Sequence, residues 1–502
     1  MLEMGWLTVC LLAVPLFAAD EVLTESGVVS GMRGVNSEIR VFKGIPYAAA
    51  AVGDLRWRAP QTPVKWEGVR KGDRFSAACM QSPFPEGSPF RDAPQPVSED
   101  CLYLNIWTGA KSPKEARPVM VWIYGGSLVR GSGSLPQYDG EELAKKGVVL
   151  VTINYRLGIF GFFAHPELTK ESDRNASGNY GILDQIAALK WVQKNIAAFG
   201  GDPKRVTIFG ESAGSWSVNA LVATPLAKNL FQRAIGESNA NFGGIPTLAQ
   251  AEQNGLRVAK NLAADSLAAL RAKLATDVMK ANAEYAQLNV DGWMLPEQVY
   301  AIFSKGKQND VPTLIGWNAD EATAFTPAMT AETFQAQANR RFGALADEYL
   351  RIYSAGSDLQ ARASSAAAMR DQTFGWEMRT WARLQTKTGK SKAFLYYFSR
   401  VPPGPWGKRL GAYHSSEIRY VFNNLQKGQV EDVDRKLAAT MSSYWVNFAI
   451  KGDPNGKSLP RWPLYNEKSD LAMGLGDDVE STKTPNKPAL DFWDTYFEKQ
   501  RK

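Results

Sequence analysis

The chain lacks the sequence features that would mark domain boundaries, nucleic-acid binding, or a metal or cofactor site. Its 502 residues contain no Pro/Ser-rich linker, no block of like charge and no internal repeat, so one large domain with insertions is favoured over the roughly three domains that the length allows. The net charge is +7, but the Lys and Arg residues are scattered and form no basic tract, which argues against nucleic acid as a partner. There are only 2 histidines, no H-E-x-x-H motif and no P-loop lysine, so neither a metal nor a cofactor is expected.

The apolar run at the N-terminus, residues 6–19, is too short to span a bilayer. Its position and its ending in Leu-Phe-Ala-Ala-Asp predict a signal peptide over residues 1–19, cleaved near Ala19. A buried N-terminal segment is the alternative, because Glu3 is present and no Lys or Arg precedes the run. If the signal peptide is cleaved, the mature chain consists of residues 20–502, is secreted or periplasmic, and has no membrane span.

Cysteine is scarce, with 3 in the whole chain. Cys10 would leave with the signal peptide, so the mature chain would keep only Cys79 and Cys101. An even pair suits one disulfide in an oxidising compartment. Two buried free thiols are the alternative.

What the chain does contain is ordinary globular material, 44% hydrophobic and 22% charged, which is enough to bury a large core. Buried strands are predicted at residues 119–124 and 148–154, each flanked by polar or helical stretches. This alternation indicates a mostly parallel sheet that is covered on both faces. Residues from about 244 to 392 are helix-rich, and one helical face is predicted to be formed by Leu262, Leu267, Leu270 and Leu274.

The motif with most chemical information is Arg-Val-Thr-Ile-Phe-Gly-Glu-Ser-Ala-Gly, at residues 205–214. An apolar run followed by G-x-S-x-G predicts a strand, a sharp turn and a helix, with two glycines leaving room for the chain to reverse over Ser212. The motif alone is weak evidence, but a helical pattern over residues 179–199 precedes it and ends at glycine. We therefore interpret Ser212 as a nucleophile rather than an ordinary turn serine, with the N–H of Ala213 facing a developing oxyanion.

A second glycine-rich stretch follows the first predicted buried strand and reads Tyr-Gly-Gly-Ser-Leu-Val-Arg-Gly-Ser-Gly, at residues 124–133. Glycines at this place let the backbone approach a substrate closely and aim N–H groups at an acyl oxygen. A plain flexible loop is the alternative. The serine motif downstream favours the oxyanion interpretation.

A serine nucleophile needs a base and an acid, and the choice of base is narrow. His165 precedes the serine motif and is followed by a proline, which is typical of a packed loop residue. His414 lies late in the chain, and only His414 fits the order nucleophile, acid, histidine. The acid is expected in the loop after the strand predicted at residues 313–316. Asp320 and Glu321 compete there, since either could accept the Nδ1–H of the histidine.

With these residues in view, the sequence resembles the type B carboxylesterases, the carboxylesterase/cholinesterase branch of the α/β-hydrolases. The resemblance runs from residues 41–47 to residues 452–455. Its most specific pieces are Glu-Asp-Cys-Leu-Tyr-Leu-Asn at 99–105 and Phe-Gly-Gly at 199–201, which leads into Gly-Glu-Ser-Ala-Gly at 210–214. The resemblance implies an α/β-hydrolase fold, with a large, mixed, mostly parallel sheet flanked by helices and with helical insertions over the active site. It also implies hydrolysis of small-molecule carboxylic esters through an acyl-enzyme.

The resemblance also implies roles for individual residues. The implied catalytic residues, with the glutamate preferred to Asp320 as the acid, are Ser212, Glu321 and His414. The residues whose N–H groups are implied to form an oxyanion hole are Gly126, Ser127 and Ala213. A disulfide between Cys79 and Cys101 is implied as well.

The chain departs from the family pattern at three positions. Ser127 stands where a third glycine is usual, Tyr124 where many bacterial members have histidine, and Ala322 where glycine is common. Ser127 keeps its N–H donor. If its φ is positive, however, a serine costs about 1 kcal/mol or more at this position. We expect reduced turnover rather than inactivity.

Two other functions are compatible with the same residues. One is hydrolysis of amides, carbamates or lactones by the same triad. The other is a non-catalytic binding or adhesion protein on a hydrolase scaffold. Such proteins typically lose a triad member, and this chain keeps all three, so ester hydrolysis is the function that the sequence favours.

Overall fold

The computed structural model describes residues 20–281, 287–426, 428 and 430–501. The predicted signal peptide, residues 1–19, lies outside the described residues. The strands are β1 Glu21–Thr24, β2 Gly27–Ser30, β3 Met32–Arg33, β4 Arg40–Pro46, β5 Val69–Lys71, β6 Ala78–Cys79, β7 Val97–Ser98, β8 Tyr103–Thr108, β9 Arg117–Ile123, β10 Val149–Ile153, β11 Gly201–Glu211, β12 Arg233–Glu237, β13 Thr313–Asn318, β14 Ala393–Phe398, β15 Leu471–Leu475 and β16 Val479–Lys483.

The α-helices lie between these strands and after the last of them. They are α1 Glu141–Lys145, α2 Gly158–Phe162, α3 Pro166–Glu171, α4 Tyr180–Asn195, α5 Ala213–Ala223, α6 Leu248–Asn261, α7 Leu267–Ala272, α8 Ala275–Ala281, α9 Val299–Ser304, α10 Ala331–Phe342, α11 Ala346–Ile352, α12 Asp358–Met369, α13 Trp376–Thr388, α14 Pro405–Leu410, α15 Ile418–Val421, α16 Asp432–Lys451 and α17 Lys487–Arg501. Across the described ranges, no helix combines the length and the apolar character needed to cross a membrane.

A mixed sheet of eleven strands forms the centre of the described chain, in the order β16-β15-β14-β13-β12-β11-β9-β10-β8-β4-β3. Every neighbouring pair from β15 to β10 is parallel, whereas β16, β8, β4 and β3 pair antiparallel at the two edges. The parallel strands are apolar and buried, and residues 119–123 in β9 have no exposed surface. Strands of this kind need cover on both faces. The strands predicted at 119–124 and 148–154 are confirmed as β9 and β10.

The helix-rich stretch from about 244 to 392 contains α6 to α13, and β13 of the central sheet runs between α9 and α10. The single leucine face predicted within it is wrong, because the chain starts a new helix there. Ser266 caps α7 by accepting a hydrogen bond from the Ala269 N–H at 3.2 Å. Leu262 consequently lies beyond the end of α6, and Leu274 lies beyond α7 with 69% of its surface exposed.

The predicted disulfide between Cys79 and Cys101 is confirmed. Both residues are buried, and the bond joins the end of β6 to the segment that enters β8. It links the irregular N-terminal region to a strand of the central sheet. The two cysteines are 22 positions apart in the chain, so the bond removes loop freedom from the unfolded protein.

Replacing both Cys79 and Cys101 with serine is expected to lower the free energy of unfolding by about 3 kcal/mol, the entropy of closing a loop of this size. Thermal unfolding with and without dithiothreitol measures the effect. The reductant should lower the midpoint of the parent protein and leave that of the double variant unchanged. Equal midpoints for the oxidised parent and the double variant would contradict a stabilising role.

Candidate active site

Ser212 lies at the turn between β11 and α5, at the carboxyl end of the parallel sheet. Its φ of 56° is unusual for a serine and marks a strained turn. The two flanking glycines allow this turn because the chain passes very close to β9. A Cβ on Gly210 would lie 2.5 Å from the Ile123 carbonyl oxygen, and a Cβ on Gly214 would collide with the same atom. The predicted strand, turn and helix around Ser212 are therefore present.

His414 lies between two buried carboxylates. Its Nδ1 is 2.6 Å from Glu321 Oε2, and Glu321 Oε1 accepts the Asn318 N–H at 2.8 Å. On the other side, His414 Nε2 lies 3.1 Å from Glu211 Oε1. The Ser415 hydroxyl donates a hydrogen bond of 2.6 Å to the same Glu211 oxygen. The contact between Glu211 and the ring was not foreseen from the sequence.

Of the two acids that competed in the sequence, Glu321 reaches the histidine and Asp320 supports the loop that carries it. Asp320 Oδ2 accepts the Ala412 N–H at 2.8 Å, and the backbone of Asp320 forms a bridge with Tyr413. Gly411, with a φ of 75°, passes directly over the Asp320 carboxylate, where a Cβ would clash. The loop before His414 is thus held against the end of β13.

Ser212 and His414 line the same cavity, which has a volume of about 470 Å³. Among the hydrogen bonds of the described residues, none joins the Ser212 hydroxyl to His414, whose Nε2 instead faces Glu211. Aromatic side chains surround the imidazole, with ring centroids of Phe374 and Phe325 at 5.0 and 5.2 Å from its own. The other histidine, His165, caps α3 by accepting the Glu167 N–H at 3.2 Å and does not line this cavity.

The glycine-rich loop after β9 lies beside the serine turn. A Cβ on Gly125 would lie 2.9 Å from the Ser212 Cβ, so only glycine fits there. The loop then turns through positive φ at Gly126 (101°), Ser127 (57°) and Leu128 (61°). In the described part of the chain, the N–H groups of Gly126, Ser127 and Ala213 donate to no protein acceptor. Gly126 and Ser127 line the cavity, so both can serve a ligand there.

The charges around His414 determine its protonation. Burial opposes protonation of the ring, but Glu211 and Glu321 outweigh it and raise the pKa of His414 above 6.5. Burial raises the pKa of Glu211 to about 7, with His414 acting in the opposite direction. The negative charges of Glu211 and Glu321 therefore favour the protonated form of the ring.

Comparison with known proteins identifies the family of this chain. A sequence model of the carboxylesterase family matches residues 18–493. The chain belongs to the carboxylesterase family. It is 41% identical to the fumonisin B1 esterase of Sphingopyxis macrogoltabida, over 91% of this chain and 86% of that protein. It is 34% identical to the cocaine esterase of Homo sapiens, over 94% of this chain and 90% of that protein.

A solved structure of a PNB esterase superimposes on this member of the carboxylesterase family with a TM-score of 0.82. The two share 34% identity, and the match covers 95% of this chain and 100% of the PNB esterase chain. The predicted α/β-hydrolase fold is confirmed by this likeness and by the mixed, mostly parallel sheet. The predicted activity is confirmed at the level of the family, and the protein is a carboxylic ester hydrolase.

The two histidines can be observed separately by NMR after selective 15N labelling of histidine. We expect His414 to titrate above pH 6.5 and His165 below it, because burial lowers the pKa of His165. Replacing Glu211 with Gln removes a negative charge beside His414 and should shift its titration to lower pH. His165 is the internal control and should not move. An unchanged His414 titration in the variant would contradict the contact with Glu211.

Proposed function

We propose that this carboxylic ester hydrolase acts through a triad in which Ser212 is the nucleophile, His414 the base and Glu321 the acid. The observation that carries the proposal is the buried 2.6 Å contact between His414 Nδ1 and Glu321 Oε2, in the wall of the cavity that Ser212 also lines. A carboxylate in this position holds the Nδ1–H tautomer of the ring and leaves Nε2 free to accept a proton. Family membership supports the same roles.

The reaction proceeds in two acyl-transfer steps. His414 Nε2 turns from Glu211 to Ser212 and removes the hydroxyl proton as Oγ attacks the ester carbonyl. The carbonyl oxygen becomes an oxyanion and is stabilised by the free N–H groups of the glycine-rich loop and of the turn. The imidazolium then donates its proton to the departing alkoxide, which leaves as an alcohol. Water, deprotonated by the ring, then attacks the acyl-enzyme; the bond between the acyl carbon and Ser212 Oγ breaks, the acid is released, and the ring returns the proton to Oγ.

The oxyanion hole that we propose consists of the N–H groups of Gly126, Ser127 and Ala213. Their lack of protein acceptors supports this role, since N–H groups beside a cavity need a ligand or water to satisfy them. Glu321 stabilises the imidazolium during both steps. Glu211, whose Oε1 lies 3.1 Å from Nε2, adds a second negative charge that favours the imidazolium formed during the reaction.

The remaining proposals concern the organisation of the chain. We propose that residues 1–19 are a signal peptide and that residues 20–502 form one hydrolase domain, secreted or periplasmic. The buried disulfide supports an oxidising compartment. We also propose that the helix-rich region of about 244–392 covers the active site, which is supported by Phe325 in the cavity wall. A cavity of about 470 Å³ suits small-molecule esters.

Paraoxon, a serine-directed organophosphate, tests the nucleophile. Treatment of the parent protein should leave one diethylphosphoryl group on Ser212, located by peptide mass spectrometry, and should abolish hydrolysis of 4-nitrophenyl acetate. The Ser212→Ala variant should take up no label and should hydrolyse the ester at least about 10⁴-fold more slowly. Loss of activity with the label on another residue would overturn the proposal.

Matched amide variants of the two neighbouring acids extend the same assay. Glu321→Gln is expected to lower kcat by roughly 10⁴-fold, because the ring loses its orienting carboxylate. Asp320→Asn keeps an oxygen for the Ala412 N–H and should lower kcat by less than about tenfold. A larger loss of kcat in Asp320→Asn than in Glu321→Gln would contradict the assignment of Glu321 as the acid.

The positive φ of Ser127 gives a prediction about turnover. Glycine adopts this conformation with less strain, by about 1 kcal/mol, so Ser127→Gly should raise kcat for 4-nitrophenyl acetate by up to about fivefold. Ser127→Ala is the control, because it removes the hydroxyl and keeps the strained backbone. It should show no gain. A Ser127→Gly variant no faster than the parent would contradict the cost assigned to this position.

A further inference from the structure

The cavity that contains Ser212 has a charged side that hydrolysis of a neutral ester does not use. The ionisable side chains along its wall, apart from tyrosines, belong to Arg91, Asp92, Glu211, His414, Arg419 and Asp434. The rest of the wall includes a cluster of apolar rings, from Phe84, Phe90, Phe325 and Trp406.

Two of the three acids have strong partners. Asp434 forms an ion pair of 2.8 Å with Arg400 and accepts the Tyr420 hydroxyl at 2.7 Å. Glu211 contacts His414 and accepts the Ser415 hydroxyl. Neither acid is therefore left to balance the cavity arginines at close range.

Arg419 is the less satisfied of the two arginines. It lies on α15, five positions after His414, and its Nη1 donates to the Asn424 carbonyl at 3.2 Å. Within the described ranges, no carboxylate oxygen lies within 4 Å of its guanidinium. Burial lowers the pKa of Arg419, with the more distant Asp92 acting in the opposite direction. A half-buried guanidinium without an adjacent carboxylate has donors to offer to a ligand.

Arg91 is the second cation of the wall. Its Nη1 donates to the Phe84 carbonyl at 3.1 Å, which anchors it to the aromatic side of the cavity. Among the described residues, its only ion-pair partner is Glu86, at 4.0 Å; the side chain of Arg91 is 35% exposed and that of Glu86 is 93% exposed. An ion pair of this kind contributes little. Asp92, beside it, accepts a hydrogen bond of 3.4 Å from Gln137, and burial raises the pKa of its carboxyl group.

We propose that the cavity recognises esters that carry a free carboxylate, with Arg419 and Arg91 as the binding residues and the aromatic rings holding the apolar part. The inference rests on the proposed function, because the ester group must reach Ser212 while the carboxylate lies at the arginines. The planar guanidinium matches a carboxylate through two parallel hydrogen bonds. Half-esters of dicarboxylic acids and acyl derivatives of hydroxy acids belong to this substrate class.

Matched anionic and neutral esters test the proposal. The probes are 4-nitrophenyl hydrogen glutarate against 4-nitrophenyl butyrate, and 4-acetoxybenzoate against its methyl ester. At least one anionic probe should have a higher kcat/KM than its neutral counterpart, and added NaCl should lower that advantage. Arg419→Gln should reduce kcat/KM for the preferred anionic probe by about 10- to 100-fold, mostly through KM, and change that of the neutral probe by less than about twofold.

Further variants separate charge from geometry. Arg91→Gln should reduce the anionic preference in the same direction, and Arg419→Lys should retain part of it, because it keeps the charge and loses the planar fork. Arg362→Gln, an exposed site on α12 outside the cavity wall, is the control for net charge and should retain the preference. Equal losses on anionic and neutral probes in Arg419→Gln would overturn the proposal, because they would indicate a structural role for that residue.

A binding measurement makes the test independent of catalysis. Glutarate should bind the Ser212→Ala protein in calorimetry and should inhibit the parent protein competitively. No binding, together with no anionic preference in the parent, would overturn the inference while neutral esters are still hydrolysed. Failure of the parent to hydrolyse any of the four esters would instead count against the proposed function.

Discussion

The register between β9 and β11 is the constraint on which the site depends. The two strands are parallel neighbours, and Gly210 lies opposite Ile123 at their carboxyl ends. The loop that follows β9 and the turn that follows β11 must therefore leave the sheet side by side. Glycine at 125, 210 and 214 lets the backbones approach to a distance that no side chain would allow. This close packing positions the serine turn next to the free N–H groups of the loop.

The remaining parts of the proposed triad come from further along the same sheet edge. The loop after β13 carries Glu321, and the segment after β14 carries His414. Because both follow parallel strands, their side chains converge on the edge where Ser212 lies. The buried ring then lies between two carboxylates, and their charges raise the pKa of His414. The same negative surroundings make the imidazolium form easier to reach during the reaction.

Much of this site could be predicted from the chain itself. The strand, turn and helix at residues 205–214 follow from local pattern, and with only 2 histidines in the sequence the choice of base was narrow. The choice between Asp320 and Glu321 could not be made from local physics, because adjacent residues in a loop differ only in the direction in which their side chains point. The leucine face after residue 262 was also mispredicted. Leu267 and Leu270 do lie on one helix, α7. Leu262 does not belong to that helix, because α7 begins only after its N-cap residue Ser266.

The sequence by itself determined the mostly parallel sheet and the strand, turn and helix around Ser212, because these depend on patterns that are local, and its resemblance to the type B carboxylesterases predicted the α/β-hydrolase fold. Only the tertiary structure decided that Glu211 contacts His414, that Asp320 supports the loop, and that Arg419 shares a cavity with Ser212. These relations join segments that are far apart in the chain, for example Ala412 and Asp320, which are 92 positions apart. Packing of whole elements sets such distances, and no local pattern encodes them.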